Sequence, residues 1–334
     1  MTPHTAKPAP AGPASPPAQS IPVVSLRDYT DGGPAVRAEF VQTLGDALVG
    51  IGFFALESHG VDARLIGRAY DLSQRFFDLP LAQRLQYEDP AVHGQRGYTS
   101  FGREHAKDSN APDMKEFWHV GRQHDADPRS QRLPYANVWP QELPEFRPVM
   151  LELFRQLDAC AASLLEACAL YLDEPPSLMA DMAVYGDTIL RIIHYPPVPP
   201  ERDPQAVRAA AHEDINLVTL LCEATAGGLE LLQRDGTWRA IHALQGQIVV
   251  DSGDMLQQLS NGLFKSTTHR VVNPANDRER RFSLPLFVHP RAEVDLSPRA
   301  SCIARTGGEA LFPDLTAGEY LARRLAEIGL AHPG

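Results

Sequence analysis

The sequence predicts an α+β protein, with a helical N-terminal half and an antiparallel β C-terminal half. Three observations lead there. Up to about residue 180 the long apolar stretches recur at three- and four-residue spacing, most regularly from Glu145 to Leu172. From Asp187 to Val288 short β-rich runs alternate with turn signals such as Gly227-Gly228, Asp235-Gly236, Ser252-Gly253-Asp254 and Asn261-Gly262. The chain has 334 residues, 43% of them hydrophobic, which suits one large domain or two closely packed ones. Many short strands at close spacing read as a sandwich, a jelly roll or a barrel.

Taken in order, residues 1–20 are dominated by Pro, Ala, Ser and Gly and cannot bury a core, so a disordered tail is expected. The tail lacks the basic start and apolar stretch of a secretory signal. Order begins at Ile21-Pro22-Val23-Val24-Ser25-Leu26, a short strand-like run. Arg37 to Val49 has helical spacing, with Phe40, Val41, Leu44, Ala47 and Leu48 on one face. Gly52-Phe53-Phe54-Ala55-Leu56 follows as a strand, and His59-Gly60-Val61 as a turn in which His59 is structural. Asp62 caps the next helix, which carries Leu65, Ile66, Ala69, Tyr70 and Phe76. Residues 90–145 look irregular and aromatic, with Gly97-Tyr98 and the run Asp113 to Trp118 standing out. Tyr98, Phe101, Arg103 and Phe117 are the expected pocket wall, together with the strands around Ile192 and Leu217. Arg103 or Lys115 is a candidate to meet an acidic substrate.

In the second half the expected strands are Thr188–Tyr195, Leu217–Leu221, Leu229–Gln233, Ile248–Val250, Met255–Leu259, Thr267–Val272 and Phe282–Val288. Thr316 to Ile328 reads as an amphipathic helix. The expected division is a tail (1–20), a helical and mixed region (21–180), a β core (181–290) and a C-terminal extension (291–334).

Composition narrows the function. The formal net charge is −11 and no basic stripe appears, which argues against a nucleic-acid partner. No apolar run reaches the ~18 residues of a membrane span. Cys160, Cys168, Cys222 and Cys302 form no C-x-x-C pair; they read as buried thiols of a reducing, cytoplasmic protein.

Chemistry concentrates at Ala211-His212-Glu213-Asp214, just ahead of an apolar run. In an extended segment residues i and i+2 share a face, so His212 and Asp214 converge while Glu213 turns away. An imidazole and a carboxylate are two thirds of a 2-His-1-carboxylate facial triad. The candidate third member is His269, in Ser266-Thr267-Thr268-His269-Arg270-Val271-Val272. With 12 His and 42 acidic residues, roughly one or two His-x-Asp/Glu triplets arise by chance, so the triplet alone decides little. A further pattern, Arg281-Phe282-Ser283, places a guanidinium fork and a hydroxyl on one strand face, which suits a carboxylate.

In their joint order these segments resemble the isopenicillin N synthase-like group of non-haem iron, 2-oxoglutarate-dependent oxygenases. The resemblance runs through Ile21-Pro22-Val23-Val24, Gly52-Phe53-Phe54, His59-Gly60-Val61, Gly97-Tyr98 and Asp113-Met114-Lys115-Glu116. It continues through Arg191–Pro197, His212-Glu213-Asp214, Gly253-Asp254, Ser260-Asn261-Gly262, Ser266–Val272 and Arg281-Phe282-Ser283. It implies a double-stranded β-helix (jelly-roll) core with the helical N-terminal part packed on it. It implies Fe(II) at His212, Asp214 and His269. It implies 2-oxoglutarate as co-substrate, its distal carboxylate on Arg281 and Ser283 with a third hydrogen bond from Tyr195. The implied reaction uses O2, releases succinate and CO2, and hydroxylates, desaturates or cyclises a small organic substrate. Two alternatives stay open: a 2-oxoglutarate-independent iron oxidase of the same fold, and a non-catalytic β-barrel binding module. Two positions depart from the family pattern. Ile193 stands where many plant members have an asparagine that helps hold the keto-acid end of the co-substrate. Asp251 stands where an asparagine is common and reads as a minor strand-end change. His194, His242 and His289 read as structural, and Arg270, Arg278 and Arg280 as solvated charges.

Overall fold

In chain order, Val23–Ser25 (β1) leads into helices Leu26–Thr30 (α1) and Pro34–Gly50 (α2), then strand Phe53–Glu57 (β2). The computed structural model describes residues 21–103, 113–198, 207–241, 246–273 and 278–327; the expected tail and His242 lie outside them. Pro34 opens α2, where its missing N–H costs nothing, and Phe40, Leu44, Ala47 and Leu48 form its buried face. Gly52 makes the turn into β2 at φ +74°, and a Cβ there would meet the Lys265 carbonyl at 2.2 Å. Asp62 caps Ala63–Phe77 (α3) by accepting the Arg64 N–H at 2.8 Å. His59 is held in its turn by the Val61 N–H, at 3.1 Å from Nδ1.

Leu81–Arg84 (α4) precedes two strands, Gly97–Thr99 (β3) and Glu116–Gly121 (β4). These strands correct the expectation of an irregular region over 90–145. Every residue of β4 is buried, so no alternation of apolar and polar marks it in the sequence. The long helix Phe146–Tyr171 (α5) buries Leu153, Leu157, Leu164 and Cys168, and Ser177–Ala183 (α6) follows it. Fully burying each such leucine contributes roughly 1.5–3 kcal/mol.

The second half supplies Ile189–Tyr195 (β5), Ala209–His212 (β6), Val218–Cys222 (β7), Leu229–Leu232 (β8), Trp238–Ala240 (β9) and Ile248–Ser252 (β10). Asp254–Leu259 (α7), His269–Val271 (β11), Arg281–Val288 (β12), Ala300–Arg305 (α8) and Ala317–Glu327 (α9) complete it. The strand expected over Met255–Leu259 is therefore a helix. Gly253 sits at its N-cap, and Met255, Leu256 and Leu259 bury one face at helical spacing. Strand β9, at Trp238–Ala240, had no counterpart among the expected strands.

Two sheets result, ordered β1-β2-β10-β7-β12-β5-β4-β3 and β6-β11-β8-β9. All of their pairings are antiparallel except β1 with β2. One face of the larger sheet packs on the helices: Leu220, Leu284 and Leu286 share a buried cluster with Leu157 and Leu164 of α5. Its other face meets the smaller sheet, where Ile193 and Tyr195 join Ala209 and Val271. This is the jelly-roll core carrying a helical layer that the resemblance implies.

Candidate metal and co-substrate site

Between the sheets, His212 closes β6, His269 opens β11, and the two are paired directly across that ladder. Asp214 lies in the loop after β6, so the hydrogen bonding of that loop, and not the pleat of an extended strand, brings it to His212. The loop is clamped from below. Asp254 N–H donates to the Asp214 carbonyl at 2.7 Å, and Gly253 N–H to the Leu217 carbonyl at 3.0 Å. A Cβ on Gly253 would meet the Asn216 carbonyl at 2.3 Å, so the loop can sit this close only over glycine.

The three side chains meet. His212 Nε2 is 3.9 Å and His269 Nε2 3.8 Å from Asp214 Oδ1. One ligand atom from each lies within 4.8 Å of the others. Each imidazole turns its Nδ1 to a backbone carbonyl two residues back, Ala210 at 2.7 Å and Thr267 at 3.1 Å. A carbonyl only accepts, so the proton sits on Nδ1 and the Nε2 lone pair faces the cluster. Burial, helped by His269, lowers the His212 pKa to about 4, which keeps it neutral. Burial alone would raise the Asp214 pKa; His269, His212 and the Thr219 hydroxyl hold it below the usual value. Thr219 Oγ1 donates to Asp214 Oδ2 and accepts from Asn216 Nδ2 at 3.0 Å, fixing the carboxylate plane. Two imidazoles turned Nε2 inward and an ionised, oriented carboxylate fit a divalent first-row metal with open positions.

The second group stands in the larger sheet. Arg281 pairs with Tyr195, and Ser283 with Ile193, in one antiparallel register. Arg281 and Ser283 are each 2% exposed. Arg281 Nη1 reaches Ser283 Oγ at 3.3 Å, its Nε reaches the Ala226 carbonyl at 3.1 Å, and its guanidinium lies 4.9 Å from the Tyr195 ring centre. One cavity is shared by His212, Asp214, His269, Tyr195, Arg281 and Ser283.

Three further charged or ionisable residues line that cavity: Asp251, Lys115 and Arg191. Asp251 is no minor strand-end change. It pairs with Thr219 across β10 and β7 and is 5% exposed; burial and the neighbouring Asp214 push its pKa well above the carboxylate range. Lys115 is a wall residue, not a surface charge, and its Nζ pairs with Asp113 at 2.8 Å. Asp113 in turn accepts the Ala210 N–H at 3.0 Å, tying the pair to β6. Arg191 stacks 4.3 Å from Phe117 and 5.1 Å from Phe287.

The expected wall is otherwise displaced. Tyr98 is buried beneath the helices against Phe76, Phe101 is exposed, and Arg103 is exposed beside Glu88 at 3.4 Å. The strands near Ile192 and Leu217 do contribute, but through Arg191, Ile193 and Thr219 on the other face. Sequence alternation located those strands without saying which face met the cavity. His194 is structural, bonded to Glu116 at 2.7 Å and stacked on Phe282. His289 is buried, which lowers its pKa to about 4. Arg270 and Arg280 are paired, with Glu230 and Asp78, each at 2.7 Å.

Residues 21–142 match the family described as the non-haem dioxygenase in morphine synthesis N-terminal region, and residues 186–290 the 2OG-Fe(II) oxygenase superfamily. The chain is 30% identical to the 2-oxoglutarate-dependent dioxygenase caaD of Aspergillus niger, over 82% of this chain and 85% of that one. It belongs to the 2OG-Fe(II) oxygenase superfamily. A crystal structure from this family, from Caulobacter crescentus, superposes with a TM-score of 0.81 at 36% identity, over 92% of this chain and 98% of that one. A full-length Neurospora crassa protein crystallised in complex with alpha-KG superposes equally well, at 0.81 and 28% identity, over 94% and 98% of the two chains. This oxygenase is accordingly an Fe(II)- and 2-oxoglutarate-dependent enzyme that oxidises a small organic substrate with release of succinate and CO2. No helix among the described residues is long and apolar enough to cross a membrane.

Proposed function

We propose that His212, Asp214 and His269 hold the Fe(II), and that Arg281, Ser283 and Tyr195 hold the distal carboxylate of 2-oxoglutarate. The observation that carries this reading is the pair of Nδ1–carbonyl bonds, which aim both Nε2 lone pairs at the point Asp214 Oδ1 faces. With its metal and co-substrate bound, the site gains the oxidising power of the iron, fed by dioxygen and the decarboxylation of 2-oxoglutarate. The protein's own part is placement. Thr219 and Asn216 keep the Asp214 carboxylate in one orientation, and the paired register of β5 and β12 holds the guanidinium and hydroxyl side by side. Phe53, Leu221 and Phe287 line the cavity and limit water near the reacting groups.

The substrate is a small molecule rich in hydrogen-bond acceptors. Arg191 of β5, held between two phenyl rings, and Lys115, paired with Asp113, are further cationic groups lining the cavity. Residues 181–290 form the catalytic core of this reading, with 21–180 and 291–334 as its supports. A cytoplasmic setting goes with four free, buried cysteines.

The test is a substitution. His212→Ala is expected to abolish succinate formation from 2-oxoglutarate and to weaken Fe(II) binding to anaerobically purified protein. Wild-type succinate release by that variant overturns the ligand assignment. The substrate class is read by screening acceptor-rich small molecules for stimulated 2-oxoglutarate decarboxylation, with mass spectrometry of the product.

A further inference from the structure

Two arginines are buried against Tyr195, and only Arg281 has been given a task. The other is Arg208, 1% exposed, directly before β6. Its guanidinium carbon is 5.9 Å from the centre of the Tyr195 ring, against 4.9 Å for Arg281. Its Nη2 donates to the Glu279 backbone carbonyl. Its Nε and Nη1 are buried with no hydrogen-bond partner among the described residues. The next residue, Ala209, lines the cavity and packs on Tyr195.

A buried guanidinium with two unused donors is a costly arrangement unless an anion completes it. Burial and the neighbouring Arg281 both press its pKa down, and the exposed Glu279 carboxylate offsets this only in part. A purely structural arginine would have its donors spent on backbone carbonyls or a carboxylate. Here, among the described residues, Nε and Nη1 stay open beside a second cation, next to a residue that lines the cavity.

We infer that Arg208 is a second cationic positioning residue for the distal carboxylate of the co-substrate, working with Arg281 beside the Tyr195 ring. The inference rests on the assignment of Arg281 in the proposed function, and the test separates the two. Binding is measured anaerobically, on full-length protein with Mn(II), for 2-oxoglutarate and for 2-oxovalerate, a five-carbon 2-oxo acid lacking the distal carboxylate. Arg208→Met is expected to weaken 2-oxoglutarate about tenfold while leaving 2-oxovalerate within about twofold. Arg208→Lys should recover most of the loss. Arg208→Gln keeps a donor for the Glu279 carbonyl without the charge, and should discriminate between the two acids as the Met variant does. Thermal unfolding gives a readout independent of binding: without ligand the Gln variant should melt no lower than wild type, since an incompletely paired buried charge is gone. The inference is overturned if both acids weaken equally, or if neither does, while Arg281→Met still separates them. If Arg281→Met also fails to separate the two acids, the assignment of Arg281 falls first and takes this one with it.

Discussion

At one end of the cavity stand two imidazoles and two buried carboxylates, His212, His269, Asp214 and Asp251. At the other stand Arg281, Ser283 and the Tyr195 ring, with Arg208 near that ring. The first end is acidic and the second cationic. They are also built differently. The arginine end comes from neighbouring strands of one sheet in one register, so a single antiparallel pair fixes it. The imidazole end needs β6, β11 and the Asp214 loop to meet, with Gly253 and Asp254 at the start of α7 clamping that loop. A molecule with a chelating head and a carboxylate tail completes both ends together, and this polarity is what the contrast teaches.

The largest effect should come from the acidic end. Asp214→Ala removes the proposed carboxylate ligand of the cluster and leaves the two imidazoles. Metal affinity should fall at least about 100-fold, beyond what loss of an outer-shell partner costs, and succinate formation should cease. Calorimetric titration with Fe(II) under anaerobic conditions reads the first and product analysis the second. The arginine end should be untouched, so unfolding of the metal-free protein should show no large loss. A variant that keeps wild-type metal affinity breaks the comparison at its root.

Asp251→Asn sharpens the contrast by separating metal-free from metal-loaded behaviour. The folded-state pKa of Asp251 is raised by burial and by Asp214, so the folded chain holds a proton there that the unfolded chain releases above about pH 4. Folding therefore loses stability as pH climbs from about 4 toward the raised value. Asparagine carries no such proton. The metal-free variant should be more stable than wild type at pH 7–8, and the gap should shrink as pH falls toward 4. Denaturant melts across that range test the sign. A variant less stable than wild type at pH 8 would mean that the carboxylate is not the source of the strain.

How much of this was legible in the sequence differs between the two ends. The candidate triad and Arg-x-Ser pair could be named because the joint order of the segments along the chain resembles one family; no single triplet is rare enough to do so. The helices and most strands followed from periodicity. Asp251 was undervalued because nothing local marks it: its importance comes from β10 lying beside β7, which brings it to Thr219 and Asp214. Strand β4 was hidden by burial on both faces. Tyr98 and Phe101 were misplaced because aromatic content signals packing, and the cavity is chosen by which face of β5 and β7 turns inward. Arg208 carried no signal at all, since an arginine before a strand is ordinarily a surface charge.

The smallest effect on binding, and the finest test of where one end stops, is Ile193→Asn. Ile193 lies between the ends, 6% exposed, facing Ser283 in register and packed among Phe117, Tyr195, Ala209 and Val271. Asparagine would restore the residue many plant relatives carry in the family pattern. It would also set a polar amide in an apolar cluster and remove the branched side chain that fills it. We expect a loss of about 2–4 kcal/mol of stability, read by denaturant unfolding. Affinity for 2-oxoglutarate should stay within about threefold, because Arg281 and Ser283 keep their register and the proposed iron ligands lie on β6, β11 and the loop after β6. Ile193 thus supplies apolar packing between the Tyr195 strand and β6. If the asparagine variant instead binds 2-oxoglutarate tenfold tighter at unchanged stability, the cluster is not structural, and the keto-acid end of the co-substrate reaches further toward β5 than the iron ligands imply.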